Sequence, residues 1–201
     1  AASALAARRL ARPDSATHLI VGAGRVGFNL ALAYREVLPI TRALVSDINP
    51  DNAARMVASL AEEGIAAEVA DNVQSASAEA DVISCATLAR TPVLLGDWLR
   101  PGHHVDLIGS FTPEMREVDD TAVTRASVYV DTHDALVESG DIKTPLESGV
   151  LKENDILATL KELCDSGDHP RQSIDEITLF KGVGTAIEDL SAAILALKST
   201  S

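Results

Sequence analysis

Short apolar runs and helical stripes take turns along this chain. Thr17–Val21 (THLIV) is a short run rich in apolar and β-branched residues and closed by glycine, which predicts a buried strand. Over residues 25–37 the apolar positions shift to a helical period, with Leu30, Ala31, Tyr34 and Val37 on one side. Pro39 separates that helix from a second strand at 43–45, which runs out into Ser46 and Asp47. Asn49-Pro50 opens the next helix, which passes through Met56 and Leu60 and stops at Gly64. Further strands are predicted at 66–69, 81–85, 104–108, 128–130 and 177–180, with a short helix at 73–78 and a closing helix at 185–198.

Strand, helix, strand, helix over this length predicts an α/β fold with a parallel sheet covered on both faces. The first eleven residues are Ala-rich, and Ala4, Leu5, Ala7 and Leu10 predict an amphipathic helix. That helix begins with neither a methionine nor a capping residue, which points to a start inside a larger protein. Residues 136–170 are the least regular stretch, with one helix predicted at 155–163. No repeat or linker divides the chain, so residues 1–201 read as one domain.

The sharpest local signal is Gly22-Ala23-Gly24-Arg25-Val26-Gly27, which follows a predicted strand and opens a predicted helix. Gly22 permits the tight turn, Gly24 lets a pyrophosphate approach the backbone, and Gly27 lets the helix pack closely on the sheet. Unpaired N–H groups at the helix start, with the positive end of its dipole, then hold phosphates. Asp47 ends the second strand twenty residues after Gly27, where a carboxylate can accept the ribose hydroxyls of adenosine. The pattern is that of a Rossmann fold: a doubly wound parallel sheet with helices on both faces and central strand order 3-2-1-4-5-6. Asp47 repels a 2′-phosphate, and no Arg or Lys follows among Ile48, Asn49, Pro50 and Asp51, so NAD is favoured over NADP. Arg25 is the one basic residue of the loop and keeps NADP possible.

Composition narrows the field. Hydrophobic residues are 46% of the chain but aromatics only 3%, so the core is aliphatic and base-stacking platforms are disfavoured. Thirty acidic residues against 17 Lys and Arg give a net charge of −13, which repels nucleic-acid backbones and anionic lipid. No apolar run approaches the length of a membrane span. Cys85 and Cys164 stand far apart, as expected of reduced thiols in a cytoplasmic protein.

The N-terminal stretch ASALAARRLARPDSATHLIVGAGRVG resembles the ornithine cyclodeaminase and mu-crystallin family. So do ISCATLARTPVL, HVDLIGSFTPEMREVDD and ITLFKGVGTAIEDLSAA. That family includes cyclodeaminases, ketimine and pyrroline-2-carboxylate reductases, and alanine dehydrogenases. The resemblance implies an oxidoreductase that reduces a cyclic imine or ketimine carboxylate, or dehydrogenates an amino acid. It assigns Gly22, Ala23, Gly24, Arg25 and Val26 to the pyrophosphate loop, and Asp47 with Ile48 to the adenosine ribose. It also assigns Cys85, Ala86 and Thr87 to the nicotinamide ribose, and Ile108, Gly109, Ser110, Val183 and Gly184 to the surroundings of the nicotinamide. Val26 stands where the family often has Gln.

Family members carry a separate N-terminal domain, which supplies basic substrate-binding residues and most of a dimer interface. No equivalent precedes Ala1, so the chain is expected to be the cofactor domain of a larger homodimeric enzyme and inactive when isolated. Cyclodeaminases of the family have a catalytic Asp two residues after the glycine that corresponds to Gly109. Phe111 stands there, and a phenyl ring can neither activate water nor take a proton. Imine reduction is therefore preferred to a cyclodeaminase that recycles NAD internally. A non-catalytic cofactor-binding module is the alternative outside enzymology.

Other residues invite chemistry less. Asp131, His133 and Asp134 read as solvated loop polars rather than a metal site, for which no residue set is complete. His103 and His104 read as turn residues, and Cys85 as a small side chain facing the cofactor crevice. Lys181 either points into the site or lies on the surface, and Ser110 and Thr112 are possible polar contacts to substrate.

Overall fold

The computed structural model describes residues 1–167 and 170–199. Among these, eight strands form one sheet in which every pairing is parallel. They are β1 (Thr17–Val21), β2 (Arg42–Ser46), β3 (Ala66–Val69), β4 (Val82–Cys85), β5 (His104–Leu107), β6 (Ser127–Val130), β7 (Ile156–Thr159) and β8 (Thr178–Lys181). Their order is β3-β2-β1-β4-β5-β8-β6-β7.

Alternate side chains of each strand feed two cores, as a sheet covered on both faces requires. Leu19 and Val21 of β1 join Ile83, Leu107 and Leu179 on one face. That face is covered by α4 (Val73–Ser77), α5 (Asp120–Arg125) and α7 (Gly140–Glu147), through Ala76, Val123 and Ile142. On the other face Ile20, Ala43 and Val45 meet α2 (Arg25–Arg35) and α3 (Pro50–Glu62) through Ala31, Met56 and Leu60. Farther along that face, Ala6 and Leu10 of α1 (Ala2–Leu10) pack on Tyr129 and Phe180. Each fully buried Leu, Ile or Phe stabilises the fold by about 1.5–3 kcal/mol, and the buried Tyr34, Tyr129 and Phe180 add to these mainly aliphatic layers.

The predicted order 3-2-1-4-5 stands, but the strand after β5 is β8, not β6. All four residues of β8 are buried, which suits an interior strand, whereas β7 at the sheet edge exposes Leu157. The helix expected at 155–163 is in fact β7 followed by α8 (Leu160–Asp165). Thr159 and Glu162 form a capping box at the start of α8, a T-x-x-E signal that marks the true boundary. The supposedly irregular stretch also holds α6 (Ala135–Glu138) and α7, while Asp168 and His169 lie outside the described residues. In α1, Ala4, Ala7 and Leu10 are buried as predicted, joined by Ser3 and Ala6, while Leu5 is only half-buried.

His103 and His104 are not turn residues on the surface; both are buried, and His104 opens β5. His104 Nδ1 shares a hydrogen bond with Thr178 Oγ1 at 3.0 Å, across the β5–β8 pairing. On β1, His18 Nε2 meets Ser84 Oγ at 2.8 Å, and its ring stacks on Tyr34 with centroids 4.6 Å apart. Burial lowers both imidazoles to a pKa of about 3, with Arg171 and His18 adding to the effect on His104.

A histidine whose folded pKa lies below its unfolded value stabilises the fold fully above the unfolded pKa. That contribution is lost as the pH falls below it. For His104 the window runs from 6.5 down to about 3. His104→Gln keeps a partner for Thr178 and removes the titration. Between pH 7 and pH 5 the parent should lose about 2 kcal/mol more stability than the variant, read from urea unfolding at the two pH values. Parallel losses in the two proteins would refute the neutral buried imidazole.

Candidate functional site

The chain leaves β1 and turns at Gly22, whose φ of 106° is readily adopted by glycine and strained for other residues. A Cβ there would lie 2.5 Å from the Ala86 carbonyl oxygen, so the loop rests directly on the end of β4. Gly24, the N-cap of α2, is the opposite case: a Cβ would meet nothing within 4 Å. The first N–H groups of α2 lack helical partners and open beside that space. At Gly27 a Cβ would sit 2.3 Å from the Gly22 carbonyl oxygen and 2.9 Å from Ile20 Cγ2. Only glycine lets α2 settle on β1 at this distance.

Asp47, just past β2, reaches back to the loop. Its Oδ2 accepts from the Ala23 N–H at 2.7 Å, and its Oδ1 accepts from Asn49 N at 2.8 Å and Asn52 Nδ2 at 3.3 Å. Of roughly four acceptor positions on a carboxylate, three are already used. The Asn52 bond is the longest and the easiest to exchange.

A crevice of about 720 Å³ runs between the loop and the ends of β2 and β4. Gly22, Ala23, Gly24, Asp47, Ile48, Ala86 and Thr87 all line it, and Ile48 is fully exposed. Asn52 and Val73, and beyond β4 Leu88, Ala89 and Val93, complete its walls. Leu88, Ala89 and Val93 went unrecognised in the sequence, since nothing local marks a loop residue that curls back over a crevice, and Asn52 and Val73 because each sits in the first turn of a helix. Arg25 and Val26 instead flank a groove of about 270 Å³ that also includes Ile108 and Glu188. Arg25 also lines a depression of about 250 Å³ with Asn52 and Arg55, on the other flank of the glycine loop.

Cys85 does not face the crevice. Its side chain is fully buried in the core on one sheet face, and burial raises its thiol pKa well above the ordinary value. Past β5, Gly109 and Ser110 are buried and Phe111 is half-exposed. Ser110 Oγ donates to the Met115 carbonyl at 2.7 Å and lies 2.9 Å from Ser139 Oγ, so this hydroxyl is engaged within the fold.

Three buried charged residues organise this end of the sheet. Glu117 accepts from the Thr87 N–H and hydroxyl, both at 2.7 Å, and from the N–H groups of Gly109 and Ser110 at 2.9 and 3.3 Å. Asp131 is not a solvated loop residue; it is buried and accepts from Val183 and Gly184 N–H, each at 2.7 Å. Lys181 neither enters the crevice nor reaches the surface. It is buried, donates to the Leu107 carbonyl at 3.0 Å and lies 3.8 Å from Asp141 Oδ2. Burial lowers its pKa, while Asp141 and Glu117 pull it back up. The parts of D-x-H-D separate accordingly, with His133 and Asp134 exposed. Among the described residues no cluster of His, Cys, Asp or Glu is arranged to hold a metal, and no helix is long and apolar enough to cross a membrane.

A doubly wound parallel sheet, a glycine turn into a helix N-terminus and an acid at the neighbouring strand end define a Rossmann-type dinucleotide-binding domain. The chain belongs to the ornithine cyclodeaminase/mu-crystallin family, whose model matches residues 1–200. It is 45% identical over 195 residues to a Delta(1)-pyrroline-2-carboxylate reductase of Paracoccus denitrificans, covering 95% of this chain and 61% of that one. The structure of Thermococcus litoralis Delta(1)-pyrroline-2-carboxylate reductase with NADH and L-proline superimposes with a TM-score of 0.95 at 39% identity, over 98% of this chain and 62% of that one. An archaeal alanine dehydrogenase dimer with bound NAD gives 0.91 at 29% identity, over 100% of this chain and 63% of that one. The chain thus spans about three fifths of the length of these relatives.

The second and third glycines of the loop should respond unequally to the same substitution. Gly27→Ala forces a Cβ into backbone and should cost about 1–3 kcal/mol of stability. Gly24→Ala meets open space and should cost under about 1 kcal/mol, the loss of a good N-cap residue. Thermal or urea unfolding of the two variants checks this; equal losses would contradict the packing described for α2.

Proposed function

We propose that this chain is the cofactor-binding part of a nicotinamide-dependent oxidoreductase. Its reaction is reduction of a cyclic imine or ketimine carboxylate to an amino acid, or the reverse dehydrogenation. The observation that carries this reading is one continuous crevice running from the glycine loop past Asp47 to Thr87. The pyrophosphate would lie at Gly24, Arg25 and Val26, where a side chain on Gly24 would fill the cradle. The adenosine ribose would meet Asp47 by replacing the long Asn52 bond, and the exposed Ile48 would cover the base. The backbone of Cys85, with Ala86 and Thr87, would underlie the nicotinamide ribose. Ile108, Gly109, Ser110, Val183 and Gly184 would surround the ring.

When bound, a reduced nicotinamide would supply the hydride for the carbon of a C=N bond, whose nitrogen would take its proton from solvent. The chain's own residues would bind and orient the cofactor. The NADH and L-proline of the Thermococcus litoralis structure support this chemistry. Phe111 disfavours amine cyclisation, because it offers no proton acceptor at the end of β5. Assembly as a homodimer is supported by the alanine dehydrogenase dimer, and a reducing cytoplasmic setting by the unpaired Cys85 and Cys164.

NADH should bind more tightly than NADPH, since Asp47 accepts from a ribose hydroxyl and repels a 2′-phosphate. Asp47→Ala should weaken NADH by about 1–3 kcal/mol and narrow the gap between the cofactors. Fluorescence titration of both cofactors decides it; equal affinities in the parent with no loss in the variant would remove Asp47 from the site.

The 201-residue chain alone should bind NADH yet turn over pyrroline-2-carboxylate far below about 1 per second. Hydride transfer is fast only when the acceptor carbon is held against C4, and a carboxylate substrate needs a cation for that. Thr87, Gly109, Ser110, Phe111 and Val183 are all neutral. Absorbance at the NADH band follows the reaction, and enzyme-like turnover would show that these residues suffice.

A further inference from the structure

We propose that Glu117 is a positioning residue that, through Thr87, sets the hydrogen-bonding polarity of the nicotinamide end of the crevice. This rests on the cofactor reading above. Glu117 lies on the chain between β5 and α5, fully buried, and none of its atoms belongs to the crevice wall. Four hydrogens point at its two oxygens, from Thr87 N, Thr87 Oγ1, Gly109 N and Ser110 N. With every neighbour a donor, the group is held as an acceptor-only carboxylate. One side chain therefore joins the ends of β4 and β5. The approach is so close that a Cβ on Gly109 would fall 2.3 Å from Glu117 Oε1.

The charges facing Glu117 are Lys181, which favours its ionised form, and Asp141, which opposes it. Asp141 is itself held by the N–H groups of Glu117 and Val118, at 2.7 and 3.1 Å. Burial, with Asp141 behind it, pushes the Glu117 carboxyl up, and Lys181 and the Thr87 donors offset part of that rise.

The consequence falls on Thr87, which does line the crevice. Its hydroxyl proton is committed to Glu117, so its lone pairs are left for the Ala89 N–H, 3.2 Å away, and for the crevice. Thr87 thus presents an acceptor and no donor to whatever lies there. The hydroxyls of a nicotinamide ribose and the amide hydrogens of the carboxamide are donors and match it. A glutamine at 117 would turn one NH₂ toward existing donors. With the NH₂ in place of Oε1 it faces the Thr87 N–H and hydroxyl, of which only the hydroxyl can adapt, by accepting from the amide and turning its proton toward the crevice.

The test compares NADH with ADP, which lacks both the nicotinamide and its ribose, by calorimetry on the 201-residue chain. Glu117→Gln should weaken NADH about tenfold and change ADP by less than about twofold. Thr87→Val, which leaves Glu117 in place, should reproduce that selective loss, and Thr87→Ser should restore the parent values. Equal losses for both ligands, no loss in Glu117→Gln, or undiminished NADH binding in Thr87→Val would each overturn the positioning role. If the parent bound neither ligand, the cofactor reading would fall first and the assignment with it.

Discussion

A parallel sheet delivers its strand ends to one edge, and the backbone N–H groups just past those ends have no next strand to pair with. Burying them without acceptors costs about 1–3 kcal/mol each. Here carboxylates meet that constraint at three places along the edge: Asp47 for Ala23, Glu117 for Thr87, Gly109 and Ser110, and Asp131 for Thr132, Val183 and Gly184. Each ties a loop to a neighbouring strand end, so the rim of the crevice is fixed before any ligand arrives. Lys181, on β8 between β5 and β6, lies within the field of Glu117 and Asp131 and beside Asp141, and offsets part of their mutual repulsion.

This arrangement also reconciles a net charge of −13 with an anionic ligand. Several of the carboxylates nearest the site are turned inward and hydrogen-bonded to backbone, so their field is spent within the fold. In the proposed site a pyrophosphate would face the start of α2, with its partial positive charge and unpaired N–H groups. Overall charge governs long-range approach, whereas recognition is settled within one helical turn.

The sequence exposed the elements whose cause is local. THLIV, the glycine loop and the Asn49-Pro50 helix start each carry their own signal, and β1, α2 and α3 fall where expected. The neighbours of β8 are not a local property: a four-residue buried run states that it is interior, not between which strands. Overlooking the capping box at Thr159 turned the strand before it into helix. The same division holds for the site. Gly22, Ala23, Gly24, Asp47, Ile48, Ala86 and Thr87 line the crevice, but Glu117 sits in a run, Glu117-Val118-Asp119-Asp120, that resembles a solvated helix start. Its neighbour Asp119 does cap α5, accepting from Ala122 N at 3.0 Å. Glu117, two residues earlier, points into the protein because its acceptors are needed thirty residues upstream, at Thr87. Asp131 was misread for the same reason, its partners lying at Val183 and Gly184.

Such a rim suits a reaction in which the protein's share is mainly geometric. In the proposed reaction a hydride moves between two carbons and the nitrogen's proton comes from solvent. No side chain at the nicotinamide end would then have to change its protonation state, and the groups there can be buried and permanently paired. Glu117 would be a poor general base, because both oxygens are occupied and it has no path to solvent. Lys181 is likewise tied to the Leu107 carbonyl and unable to meet a substrate carboxylate. A cyclisation that must shuttle protons on an amine needs an open, titrating group at this edge, and the turn beyond β5 offers the phenyl ring of Phe111. The same rigidity that makes the edge a good scaffold for hydride transfer therefore makes it an unsuitable one for proton chemistry.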